Sequence, residues 1–166
     1  MRFHFHFSLF LLTFIAFVKT AFIEPFTRTP LRPYSINEGY TTDYLFSVNI
    51  PTEISSNAFI EVEFPMPYQI PSACKAYIKA QDGPFTVYPC NKPSYSRYVV
   101  NIGEITSGEY QIAFEGIENP SSYLASSNFK IRTYFNQDVL VDSNEYLDAV
   151  PFLPAPSNNP NFFSII

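Results

Sequence analysis

The stretch EYQIAFEGIENPSSYLASSNFKIRTYF, residues 109–135, decides the fold class. In its first half Tyr110, Ile112 and Phe114 alternate with Gln111 and Glu115; in its second half Phe129, Ile131 and Thr133 alternate with Lys130 and Arg132. Side chains two residues apart share one face of an extended chain, so each half predicts a β-strand with one side on a core and the other toward water. Gly116 and Asn119-Pro120 interrupt the pattern between them, because proline has no N–H to give a ladder and fixes its own φ. Nothing in the stretch has the character of a nucleophile, a metal ligand set or a phosphate loop.

The same period runs outward in both directions. Tyr44, Phe46, Val48 and Ile50 share a face until Pro51, and Ile60, Val62 and Phe64 alternate with Glu61 and Glu63. Cys74, Ala76 and Ile78, then Tyr98, Val100 and Ile102, repeat it, and Phe85–Tyr88 and Val139–Val141 add shorter runs. Each run is bounded by Pro, Gly, Asn or Ser, and none of them has the 3.6-residue apolar spacing of a helix. The expected fold is all-β, an antiparallel immunoglobulin-like β-sandwich of seven to nine strands over residues 40–150. Residues 21–39 carry Pro25, Pro30 and Pro33 and predict an extended lead-in with a short edge strand near Phe22 to Phe26. Ser121–Ser127 is expected to form no more than a single helical turn.

The first twenty residues are of another kind. Arg2 precedes an uncharged run from Phe3 to Val18 that is mostly Phe, Leu and Ile. As a helix this run would rise about 24 Å, short of the roughly 30 Å hydrocarbon core of a bilayer. A basic start followed by an apolar stretch of this length predicts a hydrophobic N-terminal helix acting as a secretory signal, residues 1–20, with cleavage between Thr20 and Ala21. Val18 and Thr20 depart from the small-residue pattern of such sites, which leaves a retained short membrane anchor as the alternative. Removing Arg2 and Lys19 from the ten basic residues leaves eight against 15 acidic ones, a net charge of -7. So acidic a chain lacks the basic footprint that nucleic acids and anionic membranes select. His4 and His6 also leave with the signal, taking with them the commonest general base and metal ligand.

Cys74 and Cys90 remain, and in a secreted chain an even count predicts a disulfide. A three-residue hairpin loop Gln81-Asp82-Gly83, with Gly83 in the left-handed region, sets Ala80 opposite Pro84 and Cys74 opposite Cys90. A two-residue loop would place the cysteines out of register on opposite faces.

Sharper chemistry can be weighed against blander accounts. Glu61 and Glu63 offer the one carboxylate pair suited to glycoside hydrolysis, but glutamates alternating with Ile and Val also describe any solvated strand face, and no enzyme is expected. Asp138, Asp142 and Asp148 make a weak calcium candidate whose spacing fits no EF-hand loop, so no metal or other cofactor is expected. Tyr34, Tyr40, Tyr68, Tyr77, Tyr95 and Tyr123 leave a glycan-stacking platform open, without the tryptophan that stacks best. The tail, residues 151–166, reads PFLPAPSNNPNFFSII; its prolines end at Pro160, and Phe162, Phe163, Ile165 and Ile166 form a candidate interaction segment or a flap over the domain.

FPMPY at 64–68, the two cysteines, GIENPSS at 116–122, SNFKIRTY at 127–134 and VLVDS at 139–143 together resemble the repeated extracellular domains of ciliate surface and secreted proteins. The similarity covers roughly residues 40–143, in one copy where relatives often have many, and Val141-Asp142 replaces their usual Ile-Asp ending. It implies a non-catalytic β-sandwich module. It also implies that Asn119-Pro120 is a corner where the chain crosses between sheets and that Phe129, Ile131 and Thr133 plug the core. The partners expected are other copies of the chain or another surface protein, with no nucleic acid and no membrane after cleavage.

N-terminal sequencing of the chain recovered from the medium of expressing cells is expected to begin at Ala21. Met1 on protein released only by detergent would favour the anchored alternative.

Overall fold

The computed structural model describes residues 20–25, 31–33, 35–121, 127–148, 150 and 153. The expected signal helix, most of the helical turn after Ser121, and the tail residues Phe162, Phe163, Ile165 and Ile166 lie outside them. Eleven strands and no helix occur among the described residues, so the all-β expectation holds with more strands than the seven to nine read from the alternation. They are β1 (Ala21–Phe22), β2 (Glu24–Pro25), β3 (Leu31–Pro33), β4 (Thr41–Ile50), β5 (Ile54–Glu63), β6 (Lys75–Ala80), β7 (Thr86–Ser94), β8 (Arg97–Ile105), β9 (Gly108–Glu118), β10 (Phe129–Phe135) and β11 (Val139–Leu147). The surplus comes from the lead-in, whose prolines permit three very short strands.

Pairing runs in one nearly closed, barrel-like order, β1-β11-β10-β5-β8-β7-β6-β9-β4-β2, with β3 also on β4. The lead-in joins the two ends of this path. β1 lies parallel to β11, Ala21 beside Asp142 and Phe22 beside Ser143, and two residues later β2 lies antiparallel to β4, Glu24 beside Asn49. Between them Ile23 is fully buried; its N–H donates to Ser143 O at 3.0 Å and its carbonyl accepts from Asn144 Nδ2 at 2.9 Å. Capping both edges with one clasp covers backbone groups that an open sheet would expose.

The inward alternation is the one the sequence predicts. Tyr44, Phe46, Val48, Ile50, Ile60, Val62, Ala76, Tyr98, Val100, Ile112, Phe114, Phe129, Ile131 and Thr133 are all fully buried. Phe64 is the hub: its ring meets those of Tyr44, Phe46, Tyr68, Tyr98, Phe114 and Phe129 at 5.6–6.1 Å, every pair tilted by 62° or more. Such edge-to-face pairs set the positive ring edge on a negative ring face and add to the burial of apolar area.

The β6–β7 hairpin has the register the three-residue loop requires, Lys75 opposite Pro89 and Ile78 opposite Thr86, and Cys74 and Cys90 are joined with Cα atoms 5.3 Å apart. One detail is corrected: Gln81, at φ 48°, takes the left-handed position expected of Gly83. The N–H of Gln81 donates to Glu109 O at 2.7 Å, a bond to β9 that selects the position and outweighs the modest cost of a left-handed glutamine.

At the corner Asn119 is buried. Its Oδ1 accepts from the Tyr44 hydroxyl, and its Nδ2 donates to Ser35 O and Asn37 O at 3.1 and 2.8 Å. Leu153 bridges Asn37 in parallel, so the tail starts out against its own domain.

Phe64→Ala should destabilise the domain by about 3–5 kcal/mol in urea unfolding, the usual result of emptying a buried ring site. A loss under about 1 kcal/mol would mean that the surrounding rings close the space without it.

Candidate functional site

Two surfaces carry the polar and the apolar features that stand out from the fold. The first is an ion-pair lattice on the outer face of β5, β10 and β11. In register, Arg132 lies beside Glu61 and Lys130 beside Glu63. The Arg132 guanidinium forks onto Glu145, with Nε to Oε1 and Nη2 to Oε2 both at 2.6 Å, while its Nη1 donates to Glu61 and, at 3.0 Å, to Glu63. Lys130 reaches Glu63 at 2.9 Å and Arg97 reaches Glu61 at 3.4 Å. The Glu61 side chain is only 6% exposed, so the solvated face expected from the alternation is roofed by arginine. Burial pushes the Glu63 carboxyl upward, but hydrogen bonds from Lys130 and Arg132 outweigh it and hold the group below its usual value of 4.5. A general acid needs the opposite shift, and Glu63 is held toward its ionised form.

The second surface is an opening in the barrel. β7 passes from one half of the sheet to the other: Thr86–Pro89 pair with β6, and Cys90 and Asn91 pair with Val100 and Val99 of β8. Beyond Cys90↔Val100 the two strands part. Pro89 has no N–H to continue the ladder, and on β8 Gly103 sits at φ 81° with its N–H turned to Asn101 Oδ1 at 3.0 Å. The gap between them is about 310 Å³, lined by Ile78, Ala80, Tyr88, Ile102, Glu104 and Tyr110 among others. Beside it the outer face is apolar. Leu45, Ala113, Tyr77 and Val87 lie in one cross-strand row, and Val87 and the adjoining Phe85 are 53% and 47% exposed. A neighbouring hollow formed by Asp43, Tyr77, Phe85, Ala113 and Glu115 adds two carboxylates, and a hydrogen bond to Glu115 raises the Tyr77 hydroxyl above its usual value.

The residues singled out in the sequence are distributed as follows. Cys74 and Cys90 are a disulfide; Asn119, Pro120, Phe129, Ile131 and Thr133 are buried. Asp142 is fully buried and accepts from the N–H and hydroxyl of Thr52 at 3.2 and 2.7 Å, which fixes the β4–β5 turn to β11. Among the described residues no three carboxylate, thiolate or imidazole groups lie together as a metal site, so Asp138, Asp142 and Asp148 are not assembled into one. Tyr68 is buried in the aromatic core and cannot join a stacking platform, Tyr34 and Tyr123 lie outside the described residues, and Tyr95 projects 85% exposed under Lys92 Nζ. The sequence reading missed Arg132 as the centre of a lattice, although its alternation with Lys130 opposite two glutamates was a signal of complementary strand faces.

No protein-family model matches the chain, and no curated protein does. Among solved structures it is similar to a crystal structure of BslA, a bacterial hydrophobin, at 10% identity and a TM-score of 0.42, over 75% of this chain and 94% of that one. It is also similar to AvmM, which catalyses macrocyclization in alchivemycin A biosynthesis, at 7% identity and a TM-score of 0.35, over 79% and 93%. Resemblance at this level carries no functional argument.

Because the Glu63 carboxyl is depressed in the folded chain, its contribution is present above the unfolded value and is lost as pH falls through the folded one. The melting temperature of the purified protein should therefore drop as pH is taken below about 4.5. Glu63→Gln should flatten that fall, and an unchanged profile would remove Glu63 from the acid-sensitive groups.

Proposed function

We propose that the chain is a secreted, non-catalytic module, an immunoglobulin-like β-sandwich, that serves as a structural or adhesive component of an extracellular or surface assembly such as a filament or coat. The observation that carries the reading is the opening at β7, where no described strand pairs with the outer edge of Phe85–Tyr88 and the half-exposed Phe85 and Val87 lie beside it. Soluble monomers guard such edges with lysines, inward charges or a covering element; here Phe85, Thr86, Val87 and Tyr88 carry no charge. The groups that catalysis would draw on are engaged elsewhere. Glu61 and Glu63 share Arg132, Asp142 holds Thr52, and the cysteines are joined. The disulfide suits an oxidising compartment, and cleavage at Ala21 would leave the whole clasp on the mature chain. The resemblance to ciliate extracellular repeats points the same way.

In this reading the partner is another copy or a companion surface protein, and the tail residues Phe162, Phe163, Ile165 and Ile166 are the donor element. An extended peptide joins a sheet edge through main-chain hydrogen bonds, while its alternate side chains fill pockets. Sedimentation of the chain from Ala21, compared with the same chain ending at Leu153, is the test. Loss of association on truncation, at an unchanged melting temperature, is expected; equal association would leave the tail without a role.

A further inference from the structure

We infer that the acceptor for this association is the free edge at Phe85–Val87, where the chain enters β7, and that its occupant is the segment Asn161–Ile166 of a neighbouring copy. The inference rests on the assembly reading above and assigns its receiving site.

The orientation of the edge follows from its neighbours. Successive residues of a strand turn their N–H and C=O groups to opposite sides. The N–H of Cys90 is directed to Cys74 O, on the β6 side, and Asn91 pairs with β8 on the other side. Even-numbered residues of this strand therefore face β6. Phe85, Val87 and Pro89 turn their backbone groups toward the gap. Pro89 brings no N–H and its carbonyl closes the ladder with β8 beside Cys90↔Val100, so the edge offers two N–H donors and two carbonyls, those of Phe85 and Val87. That is a short ladder, bracketed by Pro84 and Pro89.

Outward the edge is apolar, and inward it is mainly apolar. Outward, Phe85 and Val87 are half exposed beside Tyr77; inward, Tyr88 lines the gap with Ile78, Ile102 and Tyr110, together with the hydroxyls of Thr86 and Thr106 and the exposed carboxylate of Glu104. A strand added here must itself be apolar on both faces to be covered on both. Most strands of this chain are not, since charges mark their outer sides. Asn161–Ile166 is: Phe162 and Ile166 fall on one side with Ser164, Phe163 and Ile165 on the other, and its six residues include neither a proline nor a charge.

Reach argues for a neighbouring copy. Leu153 is held at Asn37, close to the Asn119 end of β9, while Val87 connects through Tyr77 to Ala113. Six residues along β9 and two strands across separate these places by roughly 22 Å in a straight line. Eight residues lead from Leu153 to Asn161 and span at most about 26–29 Å, so the tail would need a largely extended path over the curved sheet to reach its own edge. A second copy imposes no such demand and leads from one module to the next as a head-to-tail chain.

The test uses the chain from Ala21 with three changes made separately: removal of residues 161–166, Val87→Pro and Val87→Lys. Val87 is exposed and its N–H points away from β6, so neither substitution removes a bond of the fold; Lys also preserves the backbone if Pro strains it. Association is read by sedimentation, with thermal unfolding alongside, and a synthetic Asn161–Ile166 peptide is titrated onto the truncated chain. All three variants should associate at least about tenfold more weakly than the parent, the effect of one or two lost main-chain bonds. The peptide should bind the truncated chain and fail to bind it once Val87 is Lys. If truncation abolishes association while both Val87 variants retain it, the acceptor lies elsewhere and the inference fails while the assembly reading stands. If the Val87 variants lose association and truncation does not, edges of β7 pair with each other and the tail is not the occupant. If none of the three changes association, both readings fall.

Discussion

Everything else in the molecule is arranged around the ring of Phe64. A barrel-like sheet with no helix beside it among the described residues must fill its own interior from inward-facing strand positions. Phe64 stands at the end of β5 and touches rings from β4, β8, β9 and β10 as well as Tyr68 of the following turn. The geometry is demanding because edge-to-face contacts on several sides fix the angle of each neighbour. Once the rings are placed, the strands that carry them are placed too, and the stacked pair Tyr98 and Phe114, 5.2 Å apart, joins the two halves of the sheet.

Polar groups do a different task, which is to decide how strands remote in sequence meet. Tyr44 and Asn119 bring a hydroxyl and an amide into an otherwise aromatic region, and burial raises the Tyr44 hydroxyl far above its ordinary value. The arrangement is tolerable because Asn119 accepts from Tyr44 and donates to two carbonyls of the lead-in, so its amide is fully engaged. Arg132 does the same on the outside, with Glu145 of β11 on one flank and Glu61 and Glu63 of β5 on the other. Neutral side chains there would pack as well in a shifted register; the charges make the shifted register costly.

Much of this was legible in the sequence. The period of two named the inward residues of β4, β5, β6, β9 and β10, because the alternation of apolar with polar side chains directly records a strand with one dry face. The Cys74–Cys90 register was legible because loop length fixes a hairpin arithmetically. What was hidden is what depends on partners far along the chain. Nothing local says that Arg132 lies beside Glu61, or that Ala21 and Glu24, three residues apart, pair with opposite ends of the sheet path. Gly83 was misjudged for a related reason: its permissiveness made it the natural left-handed residue, but the bond from Gln81 to Glu109 on β9 is a tertiary matter. The candidate interaction site was half visible, as an uncharged run between Pro84 and Pro89, and half invisible, since the parting of β7 from β8 requires knowing that they pair at all.

The prolines that read as punctuation in the sequence act in the fold as stops on hydrogen bonding, and their placement separates stability from exposure. Pro51 ends β4 where Thr52 is needed to meet Asp142, which joins β4, β5 and β11 into one unit. Pro89 ends the β7–β8 ladder on one side while leaving the β6 side paired through the disulfide-linked hairpin. An opened sheet edge would ordinarily fray, since a strand paired on one side loses half of its bonds. Here Cys90 is covalently tied to Cys74 at the point of parting, so the edge that faces the gap stays extended while its pairing groups stay free. A strand held open in this way has already met part of the ordering cost of binding, which is the physical advantage of an edge prepared to receive another chain over a loop that must fold to do so.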